Sequence, residues 1–274
     1  MKTALIGYGK MGRLLEARLI EKNHEVIAVV DPFYPGLGKG SVSSSGTPSG
    51  AAVYASMEDA LNGTPGKCLR NVDVAIEFTR PDSAFDNLLS LVKEKIPAVT
   101  GTTGWYDKLP ELSRAVNDTG SALLWSSNFS LGVNLFYRIA AYAAKLTDPF
   151  AEYDVAGSET HHNKKVDSPS GTAKTLVERV LAQMTRKKKA VYEMLDRPPA
   201  ADELHYASLR VGSMPGVHSL VFDSPADTIV ITHTARSREG LAAGAVLAAE
   251  WLTAEKRKGV FTVDDVLANL ERSR

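Results

Sequence analysis

The fold turns on the stretch "TALIGYGKMGR", Thr3 to Arg13. Its first residues are a short apolar run of the kind a fully buried strand uses. Glycines follow at 7, 9 and 12, the G-x-G-x-x-G spacing. Gly7 permits a tight turn, Gly9 lets a pyrophosphate approach the backbone, and Gly12 lets a helix pack closely on the strand. "KMGRLLEARLIEK" then sets Met11, Leu14, Leu15 and Leu19 on one helical face. The first turn of such a helix presents unpaired N–H groups to phosphates. "HEVIAVVD" reads as a second buried strand. It ends at Asp31, 19 residues beyond Gly12, where a carboxylate bonds the adenosine ribose hydroxyls. Glycines alone mark many plain turns. A strand before them, a helix after them and an acid closing the next strand point to dinucleotide binding. Pro32, not an arginine, follows Asp31, so the spacing predicts that NADH serves at least as well as NADPH. Lys10, Arg13 and Lys39 are the cations placed to offset that preference.

Outward from this unit the alternation continues. "DPFYPGLGKGSVSSSGTPSG" (31–50) reads as a long mobile loop. "NVDVAIEFT" is a strand, and "DSAFDNLLSLVKEK" is a helix with Phe85, Leu88, Leu89 and Val92 inward. "IPAVTGTTG" and "SALLWSSNF" are further strands. Strands alternating with helices predict a parallel sheet with right-handed crossovers. After about residue 130 the pattern changes. A long helix, "SLGVNLFYRIAAYAAKL", precedes the strand "AEYDVAGSET" and the helix "SGTAKTLVERVLAQM". Three strand-like runs, "HYASLRVG", "HSLVFDS" and "DTIVITHTA", then come without helices between them, which predicts an antiparallel or mixed sheet. Two helices, "EGLAAGAVLAAEWLTA" and "TVDDVLANLER", close the chain. The fold class is therefore α/β. It combines an N-terminal Rossmann domain with a parallel sheet over 1–130, an α+β substrate domain with a mixed sheet over 131–239, and helices of 240–274 returning to the first.

Composition narrows the partners. The 274 residues are 44% hydrophobic, with 32 basic and 32 acidic side chains, which describes a globular protein with a real core. Zero net charge leaves no electrostatic footprint for nucleic acid or an acidic membrane surface. The local run "RKKK" (Arg186 to Lys189) reads as the solvated last turn of a helix. Cys68 is the only cysteine and has no intrachain disulfide partner, which fits a reducing compartment and an idle or buried thiol. No apolar run reaches the ~18 residues a membrane span needs. The chain enters a strand at once with no signal-peptide pattern, so the cytoplasm is expected.

The densest polar chemistry lies in "ETHHNKKVDSPSGTAKTL", Glu159 to Leu176. A metal is not expected, because zinc sites use spacings such as H-E-x-x-H or C-x-x-C and lysine is not a usual ligand. The G-x-x-x-x-G-K-[ST] order of a phosphate loop is absent, as is the S-x-x-K of acyl-serine enzymes. What remains is a basic, proton-active loop before a helix. Ser168 or Ser170 can cap that helix, while Gly171 and Thr172 lie in its first turn, a terminus suited to carboxylates. Histidine titrates near neutrality, and a lysine within reach supplies a cation or a proton. Helix capping and surface solvation are the bland alternative. In a chain that also carries a dinucleotide turn, the cluster points to a reductase that takes hydride from the cofactor and a proton from this loop.

The same stretch resembles the E-x-H-H-x-x-K-x-D-A-P-S-G-T-A signature of the dihydrodipicolinate reductase family. "GYGKMGR", "EFTRPDSAFDNL", "VTGTTGW", "SSNFSLGVN" and "ITHTARSREGLAAGAVLAAEWL" are similar, in order, to that family's other segments, so the resemblance runs along nearly the whole chain. It implies NAD(P)H-dependent reduction of a cyclic dicarboxylate to tetrahydrodipicolinate in lysine and diaminopimelate synthesis, by a cytoplasmic homotetramer. It implies that His161 is the acid/base histidine and Lys165 the proton donor, and that His162 with the Gly171 and Thr172 amides holds the substrate carboxylates. Gly7, Tyr8, Gly9, Lys10, Met11, Gly12, Asp31, Gly101, Thr102, Thr103, Ser126, Ser127, Asn128 and Phe129 line the cofactor on the same resemblance, with "SSNFSLG" as a hinge. Lys164 and Lys174 are bystanders. The chain departs from the family pattern at Glu77, Asn163, Ser168, Pro215, Val217 and Leu241. Two other readings share the Rossmann half: a dehydrogenase of another carbonyl or imine, and a dinucleotide sensor without turnover. A sensor need not keep both proton groups.

Overall fold

The computed structural model describes residues 1–35, 42–43 and 47–272. The chain divides into two compact units: Met1–Ser130 with Glu239–Arg274, and Leu131–Arg238.

The first unit opens with β1 (Lys2–Ile6), α1 (Lys10–Glu21) and β2 (Glu25–Val30). Leu15 and Leu19 of α1 are buried, and Met11 and Leu14 pack at the margin of the same core. The helix stops where Asn23 turns to φ 59°. Its N–H and that of His24 close onto the Ile20 and Leu19 carbonyls, so the chain reverses at once into β2. Then come β3 (Val42–Ser43), β4 (Ala52–Tyr54), α2 (Met57–Leu61), β5 (Val74–Glu77), α3 (Pro81–Lys93), β6 (Ala98–Thr100), α4 (Leu109–Thr119) and β7 (Ala122–Trp125). In α3, Phe85, Leu88 and Val92 are buried with Ala84 and Leu91, while Leu89 is partly covered. Pro81 sits in its first turn, where the missing N–H costs nothing.

The second unit runs α5 (Leu131–Thr147), β8 (Asp154–His161), α6 (Gly171–Leu181), β9 (Lys189–Val191), β10 (Glu203–Arg210), β11 (Val217–Asp223) and β12 (Thr228–Thr234). Its sheet has the order β12-β11-β8-β10-β9. β8, β10 and β9 are parallel, and β11 is antiparallel to both β8 and β12, so the sheet is mixed. Val133, Phe136 and Tyr137 of α5, Leu176, Val177 and Val180 of α6, and Leu204, Tyr206 and Leu220 of the sheet form its core.

The chain returns to the first unit through α7 (Glu239–Ala254), β13 (Gly259–Thr262) and α8 (Val263–Arg272). The buried side of α7 is built largely from small residues, Ala242, Gly244, Ala245, Ala248 and Ala249. Gly244 lies so close to the Phe129 carbonyl that a Cβ there would collide with it. β13 pairs in parallel with β7. The finished order is β13-β7-β6-β5-β1-β2-β4-β3, parallel throughout except for the two-residue edge β3. β1 lies between β2 and β5, which is the reversal point where open α/β sheets bind ligands at their carboxyl edge.

The run Arg186 to Lys189 corrects the sequence reading. α6 ends at Leu181, and the run leads into β9. The Arg186 guanidinium donates to the Asp148 and Tyr153 carbonyls at 2.9 and 3.0 Å. Lys187 is only 4% exposed and bonds the Glu203 carbonyl at 2.8 Å. Arg186 and Lys187 satisfy carbonyls that flank other elements and so face inward, while Lys188 and Lys189 are exposed as the sequence reading expects. Cys68 is buried, its thiol directed at the Asn71 side chain. Among the described residues no helix is long and apolar enough to cross a membrane.

Candidate active site

In the first unit the glycine turn has the shape that dinucleotide binding requires. Gly7 adopts φ 91°, and a Cβ on it would strike the Phe78 carbonyl. A Cβ on Gly12 would strike the Gly7 carbonyl, so the helix lies directly on the turn. Gly9 is the opposite case, with open space where its Cβ would be. It is also the N-cap of α1 and gives no side-chain cap bond, and no acid occupies the first helical turn. The leading N–H groups therefore face space that a pyrophosphate would fill. Lys10 is exposed beside them, Met11 is half-buried, and Tyr8 is buried with its hydroxyl donating to Glu16. Arg13 stacks over the Tyr8 ring, 5.2 Å from its centroid.

Asp31 caps the next turn. Its Oδ2 accepts from the Tyr8 N–H and its Oδ1 from the Phe33 N–H, each at 2.8 Å. A cavity of about 610 Å³ opens here, lined by Gly7, Gly9, Asp31, Thr79 and Arg80 among others. Arg80 was not singled out in the sequence, because 49 residues separate it from Asp31 and only the sheet order brings them to one cavity. Lys39 and part of the loop 31–50 lie outside the described residues.

Gly101, Thr102 and Thr103 follow β6 at the same sheet edge. A Cβ on Gly101 would strike the Phe78 ring. Thr102 is buried and Thr103 exposed. The organiser of this edge is Glu77, wholly buried at the end of β5. It accepts from the Thr79 N–H (3.0 Å), the Thr102 hydroxyl (2.9 Å) and the Thr79 and Thr100 hydroxyls. Burial pushes its carboxyl above the ordinary range, and the threonine donors only partly oppose that. Ser126, Ser127, Asn128 and Phe129 follow β7. The Ser126 hydroxyl accepts from the Asn128 N–H at 3.1 Å, Ser127 is exposed, and Phe129 is buried against Phe78.

In the second unit, the signature loop leaves β8 and enters α6. Ser170 is the helix cap, accepting from the Ala173 N–H at 3.1 Å. The strand registers explain what lies beneath it. Glu159 of β8 stands opposite Ser208 of β10 and His218 of β11, and His161 stands opposite Arg210. Side chains two apart share a face of a strand, so Glu159 and His161 point the same way. The Glu159 side chain has no exposed surface. Its Oε1 accepts from the Ser170 N–H (3.0 Å), the Ser208 hydroxyl (2.9 Å) and Arg210 Nη2 (3.1 Å). Its Oε2 accepts from the Ser170 hydroxyl and lies 3.4 Å from His161 Nδ1. Burial pushes this carboxyl up, but the serine donors and His161 outweigh it and hold the group below the ordinary range.

His161 is 7% exposed, and burial lowers its pKa below 6.5 although Glu159 pulls the other way. His218 packs edge-on against it, ring centroids 5.2 Å apart, and burial pushes His218 down to about 4. The Tyr206 hydroxyl lies 3.0 Å from His218 Nδ1. Lys165 Nζ pairs with Asp167 at 2.8 Å, and that bond chiefly holds the Asp167 carboxyl low. His162 is half-buried, Gly171 is exposed and Thr172 half-buried in the first turn of α6. Lys164 and Lys174 are exposed.

Glu159, His161 and His218 bring three potential ligand atoms within 4.8 Å of one another. Yet the carboxylate is already taken by Ser170 and Ser208, and a guanidinium stands 3.1 Å from it. A dication there would meet Arg210, so the group fits a hydrogen-bonded network better than a metal centre. The sequence assigns no role to Glu159, Ser208, Arg210 or His218, although Glu159 opens the family signature two residues before His161, the spacing that shares a strand face.

Comparison with known proteins identifies the family. The family models for dihydrodipicolinate reductase match the chain twice, the N-terminus over residues 1–129 and the C-terminus over 132–267. The 4-hydroxy-tetrahydrodipicolinate reductase of Christiangramia forsetii is 35% identical, covering 98% of this chain and 99% of its own. That of Archaeoglobus fulgidus is 32% identical, covering 97% and 100%. Among solved structures, the dipicolinate-bound dihydrodipicolinate reductase from Paenisporosarcina sp. TG-14 superposes with a TM-score of 0.74 at 21% identity, covering 96% of this chain and 97% of that one. An amine dehydrogenase from Mycobacterium smegmatis shares the fold with a TM-score of 0.64 at 13% identity, covering 96% and 95%. With both halves matched and relatives aligned end to end, the chain belongs to the dihydrodipicolinate reductase family.

Proposed function

We infer that this protein reduces 4-hydroxy-tetrahydrodipicolinate to tetrahydrodipicolinate, the step of lysine and diaminopimelate synthesis named by its relatives. The observation that carries the reading is that both halves of the family match while the signature loop keeps His161, Lys165 and the capped start of α6 together. A bound nicotinamide supplies the hydride. The chain must hold a dicarboxylate, deliver one proton and let one water leave.

His161 and Lys165 carry the proton work. His161 is neutral near pH 7 because burial holds its pKa down, so it accepts or relays a proton. Lys165 is the donor, and its present partner Asp167 is a carboxylate, the group a substrate would offer. His162 and the Gly171 and Thr172 amides hold the substrate carboxylates, supported by the α6 terminus, whose dipole favours negative charge. Cations beside a dicarboxylate also lower the cost of charge developing during reduction.

Gly7 to Gly12, Asp31, Gly101 to Thr103 and Ser126 to Phe129 hold the cofactor. The fit rests on the open space at Gly9 and the uncapped start of α1. Asp31 favours the free ribose hydroxyls of NADH, while Arg80 in the same cavity offers a 2′-phosphate a cation. NADH therefore serves at least as well as NADPH, and a tenfold or greater advantage of NADPH in kcat/KM would overturn this. The protein works in the cytoplasm as a homotetramer. Support for assembly comes from an outward apolar stripe on α5, Leu135, Ile139, Tyr142 and Leu146, and from exposed Ile229 and Val230 on the edge strand β12.

The test couples the purified protein to dihydrodipicolinate synthase with pyruvate and aspartate semialdehyde and follows absorbance of the reduced cofactor. Oxidation of NADH or NADPH that depends on the synthase is expected. Its absence with both cofactors removes the reductase reading.

A further inference from the structure

The proton groups of the signature loop rest on a carboxylate that contacts no solvent. Glu159 has a wholly buried side chain, and buried acids are retained only where their charge is paired or fully bonded. Its Oε2 lies 3.4 Å from His161 Nδ1. Its Oε1 is 3.1 Å from Arg210 Nη2, and the same Nη2 donates to the Asp167 carbonyl at 2.7 Å. The Asp167 side chain in turn pairs with Lys165 at 2.8 Å. Glu159 is the charged partner of His161 Nδ1, a buried nitrogen that makes no hydrogen bond of its own, and the hydrogen-bonded chain continues from Glu159 through Arg210 and Asp167 to Lys165. On the far side of the imidazole, Gly216 lies so near Nε2 that a Cβ would press on it, so the backbone leaves that nitrogen uncovered by any side chain at this position.

We propose that Glu159 is a positioning residue for both proton groups: it holds the proton of neutral His161 on Nδ1, leaving Nε2 as the working nitrogen, and it anchors the Lys165 loop through Arg210. The inference rests on the reductase reading of this site. A histidine has two tautomers, and the partner of one nitrogen decides which lone pair the other presents. Glu159 is acceptor-only when ionised, so it selects Nδ1–H. When Nε2 takes a proton, the imidazolium faces a carboxylate fixed by Ser170, Ser208 and Arg210. The other charged groups around the ring are Lys165 and Arg210, which disfavour its protonation, and Asp167, which favours it. His218 adds a ring 5.2 Å away that is itself neutral near pH 7.

The test compares Glu159→Gln and Glu159→Asp with the native enzyme in the coupled assay across pH. Glu159→Gln keeps the shape and removes the charge. It is expected to lower kcat by ~10²-fold or more, the scale of a misdirected acid–base group, with a much smaller change in KM. The limb of the pH–rate profile that belongs to His161 moves to lower pH, because the carboxylate that most favours the imidazolium is gone. Glu159→Asp, which restores the charge, recovers at least tenfold of the loss. A Glu159→Gln enzyme within threefold of native kcat, with an unmoved limb, overturns the inference while the reductase reading stands. A native enzyme without turnover defeats the reading itself. Nitrogen-15 NMR of the native protein provides a measurement independent of variant folding. The resonance lost in His161→Gln is expected to be Nδ1-protonated at neutral pH, and an Nε2-protonated ring overturns the inference.

Discussion

Glu77 and Glu159 do the same structural job in different units, with opposite electrostatics. Each ends or nearly ends a strand, each is buried, and each gathers the backbone of the loops that follow. Glu77 is held by three threonines, and the pull of burial raises its pKa. Glu159 has serines, a histidine and Arg210 around it, and its pKa is lowered. A carboxylate with only neutral donors shapes a loop, which is what the cofactor side needs. A carboxylate paired with cations also fixes charge, which is what proton transfer needs. The loop proposed to handle protons, in the second unit, is the one furnished with formal charges.

The largest expected effect lies wholly on the charged side. Lys165→Ala should lower kcat by ~10²-fold or more while NADH affinity, measured by fluorescence titration, stays within about twofold. A near-native rate would remove Lys165 from the mechanism and blur the contrast between the units.

A pH experiment on stability sharpens it. His218 has a folded value of about 4 against an ordinary 6.5. Between those values the unfolded chain binds more protons, so His218 makes stability fall as pH drops from about 6.5 towards 4, by up to about 3 kcal/mol. Glu159, with its lowered pKa, adds loss in the same direction at still lower pH. His218→Gln should flatten the decline above pH 4 in thermal midpoints taken along a pH series. An unchanged slope would mean that His218 is not held neutral.

The smallest effect is expected at Glu77. Its raised pKa has the opposite sign: the contribution is complete below the unfolded value and is lost as pH rises through the folded one. Glu77→Gln should therefore cost only about 1 kcal/mol near neutral pH, the scale of one hydrogen bond. Glu159→Gln, which leaves the half-buried Arg210 guanidinium without its carboxylate, should cost about 2–4 kcal/mol. If denaturant titrations rank the two the other way, charge is not what separates the hubs.

The parts of this molecule that were legible in sequence are those whose signal is local. The run from Thr3 to Asp31 declares strand, turn, helix and strand through adjacent residues, and β1, α1 and β2 follow it. Ser170 announced its cap because capping acts across three residues. β13 went unread, since "GVFT" is four residues long and becomes a strand only by pairing with β7, far away in sequence. α4 lay unremarked between two strands, with polar residues over most of its surface. Arg186 and Lys187 look solvated in sequence, because nothing local reveals that uncapped carbonyls await them. Glu159 is the instructive case. Its neighbours Ser208, Arg210 and His218 are 49 or more residues away, and strand register alone brings them to it.

The return of the chain through α7 and β13 bears on the order in which the units can form. The second unit is continuous in sequence and closes on its own contacts. The first is interrupted: its β7–β13 pairing joins Ala122 to Gly259, with the whole of the second unit between them. Distant parallel pairings are slow to find. The inserted unit should therefore act as a preformed bracket that shortens the search for the last strand, and pulsed hydrogen exchange during refolding should show β8 and β11 protected before β13. Late completion would leave the β7 edge of the Rossmann sheet briefly unpaired, which makes that edge the place where crowded refolding is most exposed to aggregation.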